Sequence, residues 1–276
     1  MITQLAPLAP NLEATTELAD SSPLLRDPDA LRARFASDGC LLLRGLLPTA
    51  PIVAARNALL DLAREAGWVD PNSSNDCARA SDRPAPDYRN EYLPVYHRMI
   101  RQPAFERSAE IPALVAAVAL LCQGPVLIHR RRIARVIFPR AERDTTQPHQ
   151  DWFYIRGAPE TITAWMPTGD VPRSLGGLAV VPGSHRLGSL EHVPTTGAGG
   201  QGIPPERITG SWAGTDYKLG DVLLMHGLLI HGGLPNRSPD RLRISFDHRF
   251  QTNGSAIDPS SLVRHYQTPG TTEDSL

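Results

Sequence analysis

The sequence predicts a mainly β protein, with a jelly-roll core and an N-terminal layer of helices packed on one face. The 26 prolines and 22 glycines indicate frequent turns, which are typical of many short strands. Helical spacing of apolar residues is confined to the first 120 or so positions, and strand-like runs follow from about residue 125. Helices followed by consecutive strands favour a sheet core covered on one side.

The helical part is predicted from local signals. Residues 28–38 read as a helix, and residues 40–48 form a short apolar strand that ends at proline. Residues 49–67 place apolar side chains at helical spacing between an early Pro and a closing Gly. The polar segment 69–90 is a predicted loop, and residues 110–123 form an apolar helix too short to span a membrane.

The strand-rich part consists of runs separated by Gly, Pro, Asn and Asp, namely 126–139, 160–171, 177–185, 220–233 and 241–251. The Gly/Pro-rich segment 193–214 is a predicted long loop, and both it and the 69–90 loop are candidate lids. We therefore expect one domain, with a helical layer over about 1–124, a β core over about 125–250 and a tail over about 251–276.

Composition excludes several classes of protein. The formal net charge is −1, which argues against a general nucleic-acid or membrane-surface binder. Three widely separated cysteines form neither a disulfide framework nor a CxxC pair. The start of the chain lacks the basic and apolar regions of a signal peptide. A cytoplasmic protein is the expectation, and its oligomeric state is not predicted.

A candidate metal site begins in the segment QPHQDWFY. His149 and Asp151 are two residues apart, so in an extended segment both side chains point to the same face. With a second histidine they would form the 2-His-1-carboxylate triad of non-haem iron. Taken alone, a His-x-Asp pair is as typical of a surface loop as of a metal site.

The second histidine comes from the segment GDVLLMHGLLIHGG. His226 and His231 are five residues apart and would face opposite sides of a regular strand, so only one of them can readily reach the metal.

The chain resembles the phytanoyl-CoA dioxygenase (PhyH-like) branch of the iron(II)/2-oxoglutarate oxygenases. The matching segments lie in the family order over about residues 125–250: HQD, TAWMPTGDVP, GGLAVVPGSHRLG, GDVLLMHGLLIHGGLPNRS and a following strand with arginine. The resemblance implies a double-stranded β-helix and an Fe(II) bound by His149, Asp151 and His231. It leaves His226 as a histidine of the barrel wall, and it implies 2-oxoglutarate and O₂ as co-substrates.

The resemblance also places an arginine ten to twelve residues after the second histidine, to bind the distal carboxylate of 2-oxoglutarate. Arg241 and Arg243 fall in that window and flank Leu242, where an ungapped alignment would put the arginine. Both remain candidates together with Ser245, and Arg241 is slightly preferred because it lies four residues before that hydroxyl. Trp165 matches a tryptophan near 2-oxoglutarate in relatives, and a core aromatic is the alternative.

Candidate substrate contacts come from two places. Strand alternation puts His129, Arg131, Ile133 and Arg135 on one face, which we expect to point inward, so that Arg131 could contact substrate. Three aromatic residues follow the carboxylate ligand and could line the substrate side: Trp152, Phe153 and Tyr154.

The resemblance implies an oxygenase that couples decarboxylation of 2-oxoglutarate, to succinate and CO₂, to oxidation of a small metabolite. Halogenating relatives have a small residue where Asp151 stands, so hydroxylation, or desaturation, cyclisation or epimerisation, is favoured here. Two alternatives remain: a cupin-like metal enzyme without 2-oxoglutarate, which would not need the arginines, and a non-catalytic binding protein on the same fold. Neither nucleic acid nor a membrane is expected as a partner.

Overall fold

A computed structural model describes residues 12–268. The beginning of the chain, on which the signal-peptide expectation rests, and the end of the predicted tail lie outside the described residues. The helices are α1 (Pro28–Asp38), α2 (Thr49–Glu65), α3 (Leu93–Met99), α4 (Pro103–Ser108), α5 (Pro112–Cys122) and α6 (Asp151–Ile155).

The strands are short except for the last one. They are β1 (Thr16–Glu17), β2 (Cys40–Leu43), β3 (Val126–Ile128), β4 (Ile133–Ile137), β5 (Ile162–Pro167), β6 (Leu178–Val180), β7 (Val193–Pro194), β8 (Gln201–Gly202), β9 (Ala213–Gly214), β10 (Val222–His226), β11 (His231–Gly233) and β12 (Arg243–Thr252).

Two sheets form the core. The larger has the order β2-β10-β5-β12-β3, with β4 also paired to β12, and the smaller has the order β1-β9-β6-β11. Alternate residues of the larger sheet pack in opposite directions: Trp165 and Leu223 contact the smaller sheet, whereas Leu224 packs towards the helices. The predicted jelly-roll core with a helical layer on one face is confirmed.

Local sequence signals explain the helix ends that were predicted well. In α1, the Asp27 side chain accepts a hydrogen bond from the Ala30 N–H, and the helix ends at Gly39, which adopts a left-handed φ of 69°. The helices α3 and α4, and a π-helical turn at Tyr88–Tyr92, were not predicted because their short segments lack clear periodicity.

Two predicted strands are each interrupted. The run 126–139 divides into β3 and β4, and the run 220–233 divides into β10 and β11. The second division matters for the site because β10 belongs to the larger sheet and β11 to the smaller one. His226 and His231 therefore lie in different sheets rather than on two faces of one strand.

The predicted tail begins within β12, and the part of it up to residue 268 packs on the rest of the protein. The strand β12 continues to Thr252, and the chain after it packs on the helical layer. Tyr96 and His265 are hydrogen-bonded at 2.6 Å between Oη and Nδ1, and Arg264 forms an ion pair with Glu106 at 2.8 Å. None of the helices between residues 12 and 268 combines the length and apolar character that a membrane crossing requires.

Candidate active site

Two buried histidines, His149 and His231, lie side by side in an antiparallel β-bridge at β11 of the smaller sheet. The His149 N–H donates to the His231 carbonyl at 2.9 Å, and the His231 N–H donates to the His149 carbonyl at 3.0 Å. This reciprocal pair fixes the two backbones in register, and the ring centroids lie 4.2 Å apart. The backbone pairing thus brings the two imidazoles together.

Asp151 completes the cluster from the first turn of α6. Its Oδ1 lies 3.6 Å from His149 Nε2 and 3.9 Å from His231 Nε2. One ligand atom from each of the three residues lies within 4.8 Å of the other two, and all three side chains are buried. The sequence reasoning assumed an extended segment, but the chain turns into a helix at Asp151, and the helical turn still directs the carboxylate to the histidines.

Both imidazoles are oriented by the backbone. His149 Nδ1 donates to the Gln147 carbonyl at 2.8 Å, and His231 Nδ1 donates to the Leu229 carbonyl at 3.1 Å. These bonds select the tautomer in which a neutral ring carries its proton on Nδ1 and directs the Nε2 lone pair to the centre of the cluster, as a metal ligand requires. Burial, followed by the neighbouring His149, lowers the pKa of His231 to about 4, so that its ring stays neutral at physiological pH.

Asp151 is held as a carboxylate by its neighbours. The Thr163 hydroxyl donates to Oδ2, and Arg249 Nη2 donates to Oδ1 at 3.2 Å. Burial would raise the pKa of Asp151, but Arg249 and the two histidines outweigh burial and hold that pKa well below its usual range. A neutral imidazole pair and an ionised carboxylate are the protonation states that bind iron.

His226, the other candidate for the second histidine ligand, lies outside the cluster. The His226 ring packs against His185 at a centroid distance of 5.0 Å and against Phe35 at 6.2 Å, and its Nδ1 accepts from the Leu228 N–H. His185 Nε2 in turn donates a hydrogen bond to the Ala36 carbonyl. Both histidines connect the sheet to α1 and stand outside the cluster.

Arg241 and Arg243 differ in their surroundings. Arg241 is partly exposed, and its Nε donates to the Cys77 carbonyl of the 69–90 segment. Arg243 is buried at 3% exposure, and its Nη1 donates to Ser245 Oγ at 2.6 Å. Its guanidinium carbon lies 6.0 Å from the centre of the Trp165 ring.

Two buried nitrogens at this corner of the barrel, one of Arg243 and one of Trp165, have no hydrogen-bond partner in the described part of the chain. Among the described residues, neither Arg243 Nε nor Trp165 Nε1 makes a hydrogen bond, although both are buried. Buried donors without acceptors are rare in proteins and point to a missing ligand. The distal carboxylate of 2-oxoglutarate is an acceptor of the right chemistry, so this corner of the barrel fits that molecule.

The aromatic residues after Asp151 are spread around the cluster. The Tyr154 ring meets His149 edge-on at a centroid distance of 5.6 Å, and Phe153 stacks on His192 at 4.1 Å. Trp152 donates from Nε1 to the Gly157 carbonyl at 3.0 Å, and the Arg156 guanidinium lies over its ring. Arg131 Nη1 donates to the Tyr154 carbonyl at 2.9 Å, so Arg131 and Tyr154 border the same side of the cluster.

The two candidate lids contact different parts of this site. The Tyr154 hydroxyl donates to the Gln201 carbonyl of the 193–214 segment, next to the histidines. The 69–90 segment pairs with the chain just before β12, where Arg79 and Arg241 form a β-bridge. The first segment therefore borders the cluster of His149, Asp151 and His231, and the second borders Arg241.

Sequence reasoning did not identify Thr163 and Arg249, the two side chains that contact Asp151. Arg249 could have been found, because it stands an even number of residues from Arg243 and Ser245 and so shares their face of β12. Thr163 opens the TAWMPTGDVP segment, and its position opposite Arg249 in the sheet register depends on strand pairing.

Comparison with known proteins identifies relatives along most of the chain. Residues 35–245 match the sequence profile of the family described as phytanoyl-CoA dioxygenase (PhyH). The chain is 30% identical over 260 residues to a 1-deoxypentalenic acid 11-beta-hydroxylase from Streptomyces arenae, covering 87% of each chain. It is 27% identical over 190 residues to an L-proline trans-4-hydroxylase from Streptomyces griseoviridis, covering 59% of this chain and 70% of the relative.

Solved structures share the fold. The epimerase SnoN, determined with Fe³⁺, alpha ketoglutarate and nogalamycin RO, superimposes with a TM-score of 0.61 at 22% identity, covering 91% of this chain and 93% of that chain. The alpha ketoglutarate dependent carbocyclase SnoK has a TM-score of 0.58 at 18% identity, covering 90% of each chain. At these identities the likeness establishes the shared fold.

Proposed function

The chain belongs to the phytanoyl-CoA dioxygenase (PhyH) family, and from that premise we propose that His149, Asp151 and His231 bind its catalytic iron. It is a non-haem iron, 2-oxoglutarate-dependent oxygenase that acts on a metabolite. The observation that supports these three ligands is their geometry, with one atom of each within 4.8 Å of the others in a buried cluster.

Each residue around the cluster has a defined task in this proposal. The Gln147 and Leu229 carbonyls orient the two imidazoles, and Thr163 and Arg249 keep Asp151 ionised and fixed. When bound, iron and 2-oxoglutarate supply the oxidising chemistry, in which O₂ is consumed and 2-oxoglutarate is converted to succinate and CO₂. The protein orients the reactants and excludes water.

For the distal carboxylate of 2-oxoglutarate we propose Arg243 rather than Arg241, the residue that the sequence slightly favoured. Arg243 is buried beside the unpartnered Trp165 Nε1, whereas Arg241 is partly exposed and bonded to Cys77. A buried arginine fork holds a carboxylate more strongly than a solvated one because water screens it less. Ser245 supports Arg243 through its hydroxyl.

The favoured outcome is hydroxylation of a small metabolite. Asp151 occupies the carboxylate position, so a halide has no vacated ligand site of the kind that halogenating relatives provide. The relatives named as hydroxylases of 1-deoxypentalenic acid and of L-proline support this choice. Tyr154, Phe153 and Arg131 border the cluster and are the proposed substrate contacts, and Trp152, whose indole donates to the Gly157 carbonyl, is a further candidate.

The ligand assignment is tested by iron binding. Purified His231→Ala protein should lose stoichiometric Fe(II), and it should lose the visible charge-transfer band that Fe(II) and 2-oxoglutarate give anaerobically. His226→Ala is the matched control and should retain both, because its ring packs 5.0 Å from His185 outside the cluster. Retained iron in the first variant together with loss in the second would reverse the assignment. A wild-type protein without any band would contradict the proposed function.

The arginine assignment is tested by titrating that band with 2-oxoglutarate. Arg243→Met should weaken 2-oxoglutarate affinity by about 10- to 150-fold, the value of a buried charged hydrogen-bonded pair. Arg241→Met should change it by less than about 2-fold, since exposed charges contribute little. The opposite order would return the role to Arg241.

A further inference from the structure

A second buried arginine lies next to the metal cluster. Arg249 is 2% exposed, and its Nη2 contacts Asp151 Oδ1 at 3.2 Å. Its Nε and Nη1 are buried and have no hydrogen-bond partner among the described residues. Buried donors normally have an acceptor, so we expect a bound group inside the barrel to accept hydrogen bonds from these two nitrogens.

Arg131 supplies another positive charge on the same side. Its Nη1 donates only to neutral acceptors, the Tyr154 carbonyl at 2.9 Å and Ser260 Oγ at 3.1 Å. Burial, followed by the nearby charge of Arg249, lowers the pKa of Arg131. The adjacent His129 adds no charge at neutral pH, because burial lowers its pKa to about 4. Two like charges thus repel each other at the edge of the cluster.

The other charges of the interior are already balanced. Arg135 pairs with Asp247 at 2.7 Å. In the proposed function, iron carries two positive charges, which Asp151 and the chelating end of 2-oxoglutarate neutralise, and Arg243 takes the distal carboxylate. That leaves the fully buried Arg249 without a counter-charge of its own, whereas Arg131 is partly exposed and has Asp258 as a nearby negative charge. An uncompensated buried ion costs several kcal/mol, so a further anion is expected when the site is filled.

We propose that a carboxylate group of the primary substrate binds between Arg131 and Arg249, so that the enzyme oxidises a carboxylic acid. This inference rests on the proposed function and adds the substrate class. Arginine forks match the two oxygens of a planar carboxylate. A singly charged group is favoured over a phosphate ester because Asp151, in contact with Arg249, repels a second negative charge more strongly.

The test uses protein loaded anaerobically with Fe(II) and 2-oxoglutarate. Acetate and cyclohexanecarboxylate are titrated against acetamide and cyclohexanecarboxamide at constant ionic strength, and cyclohexyl phosphate is included. The melting temperature and the charge-transfer band report binding without turnover. At least one acid should bind about 10-fold more tightly than its amide, as expected for a charged hydrogen-bonded contact.

Variants locate the acid-binding group. Arg131→Met should abolish the preference for acid over amide, while Arg131→Lys should retain part of it, and neither change touches the iron ligands. Arg207→Met removes the same charge from an exposed position and should leave the preference intact. Arg249→Met should also abolish it, with 2-oxoglutarate affinity reduced much less than in Arg243→Met.

Three results would overturn the inference. The first is that no acid in the panel binds better than its amide. The second is tighter binding of cyclohexyl phosphate than of the acids. The third is a loss of 2-oxoglutarate affinity in Arg249→Met as large as in Arg243→Met, which would assign Arg249 to the co-substrate. Each of these leaves the wild-type charge-transfer band in place, whereas failure of the proposed function would remove it.

Discussion

The two faces of β12 are both buried, but they differ in how completely their polar groups are satisfied. The outer face packs against the helical layer and is mostly apolar, with Ile244, Phe246, His248 and Phe250. The inner face points into the barrel and is entirely polar, with Arg243, Ser245, Asp247, Arg249 and Gln251. One strand thus serves two different environments, as the alternation of side chains allows.

The outer face of β12 contributes mainly to folding stability, whereas the inner face contributes mainly to ligand binding. On the outer face, the Phe246 ring meets Phe105 edge-on at 5.0 Å, and His248 Nε2 is hydrogen-bonded to Ser108. Among the described residues, one outer-face atom, His248 Nδ1, lacks a hydrogen-bond partner, against four on the inner face: Arg243 Nε, Asp247 Oδ1, and the Nε and Nη1 of Arg249. The outer face contributes to folding directly, whereas the inner face is completed only by bound ligands.

The largest expected effect is on the outer face. Phe246→Ala should lower the free energy of unfolding by about 3–5 kcal/mol, because it leaves a cavity against Phe105. Urea unfolding measures the loss. The folded fraction should still bind one Fe(II), since Phe246 points away from the cluster.

Arg243→Met is the inner-face counterpart of that substitution. Its effect on unfolding should be smaller than that of Phe246→Ala, because the replaced guanidinium has an unpartnered nitrogen. Equal losses of stability in the two variants would abolish the proposed distinction between the faces.

His248 is expected to make stability depend on pH from the outer face. Burial, followed by Arg132 and Arg249, holds its pKa well below the usual value of 6.5. The folded protein keeps the ring neutral while the unfolded chain takes up a proton, so this contribution is complete above about pH 6.5 and falls as the pH decreases. In His248→Gln, the loss of unfolding free energy between pH 6.5 and 5 should shrink by up to about 2 kcal/mol.

Urea unfolding at several pH values measures this contribution, with the wild-type protein as the reference. Other buried histidines with lowered pKa values, such as His129, contribute the same pH dependence to both proteins. An unchanged slope in the variant would mean that His248 is protonated in the folded state.

The smallest expected effect is on the inner face. Ser245→Ala removes the hydroxyl that accepts from Arg243 Nη1, and it should weaken 2-oxoglutarate binding by about 2- to 10-fold. The free energy of unfolding of the ligand-bound variant should stay within about 1 kcal/mol of the wild-type value, because bound 2-oxoglutarate fills the rest of the subsite. If the variant lost iron affinity instead of 2-oxoglutarate affinity, Ser245 would not belong to the 2-oxoglutarate subsite.

Much of the fold could be predicted from the chain itself. Turn residues and apolar periodicity predicted α1, α2, α5 and most of the core strands close to their observed bounds. The short helices α3 and α4 escaped because fewer than two turns give too few residues for a periodic pattern. The split of 220–233 also escaped, since nothing local distinguishes a continuous strand from one that changes sheets.

The candidate site was predictable in its residue types but not in its full composition. The motif segments predicted His149, Asp151 and His231, and the structure brings them into one buried cluster. They did not predict Thr163 or Arg249, because contacts between strands depend on sheet register. The role of Trp165 beside Arg243 likewise depends on two strands that are distant in the chain.

The sequence by itself determined the alternation of β12, which depends on neighbours two residues apart, and its motif segments indicated the ligand types of the cluster. An alternating strand usually turns its polar face to water. Only the tertiary structure decided that this polar face is enclosed between two sheets, that Arg243 is buried while Arg241 is partly exposed, and that Arg249 meets Asp151. These choices are set by long-range packing, which brings together residues about a hundred positions apart.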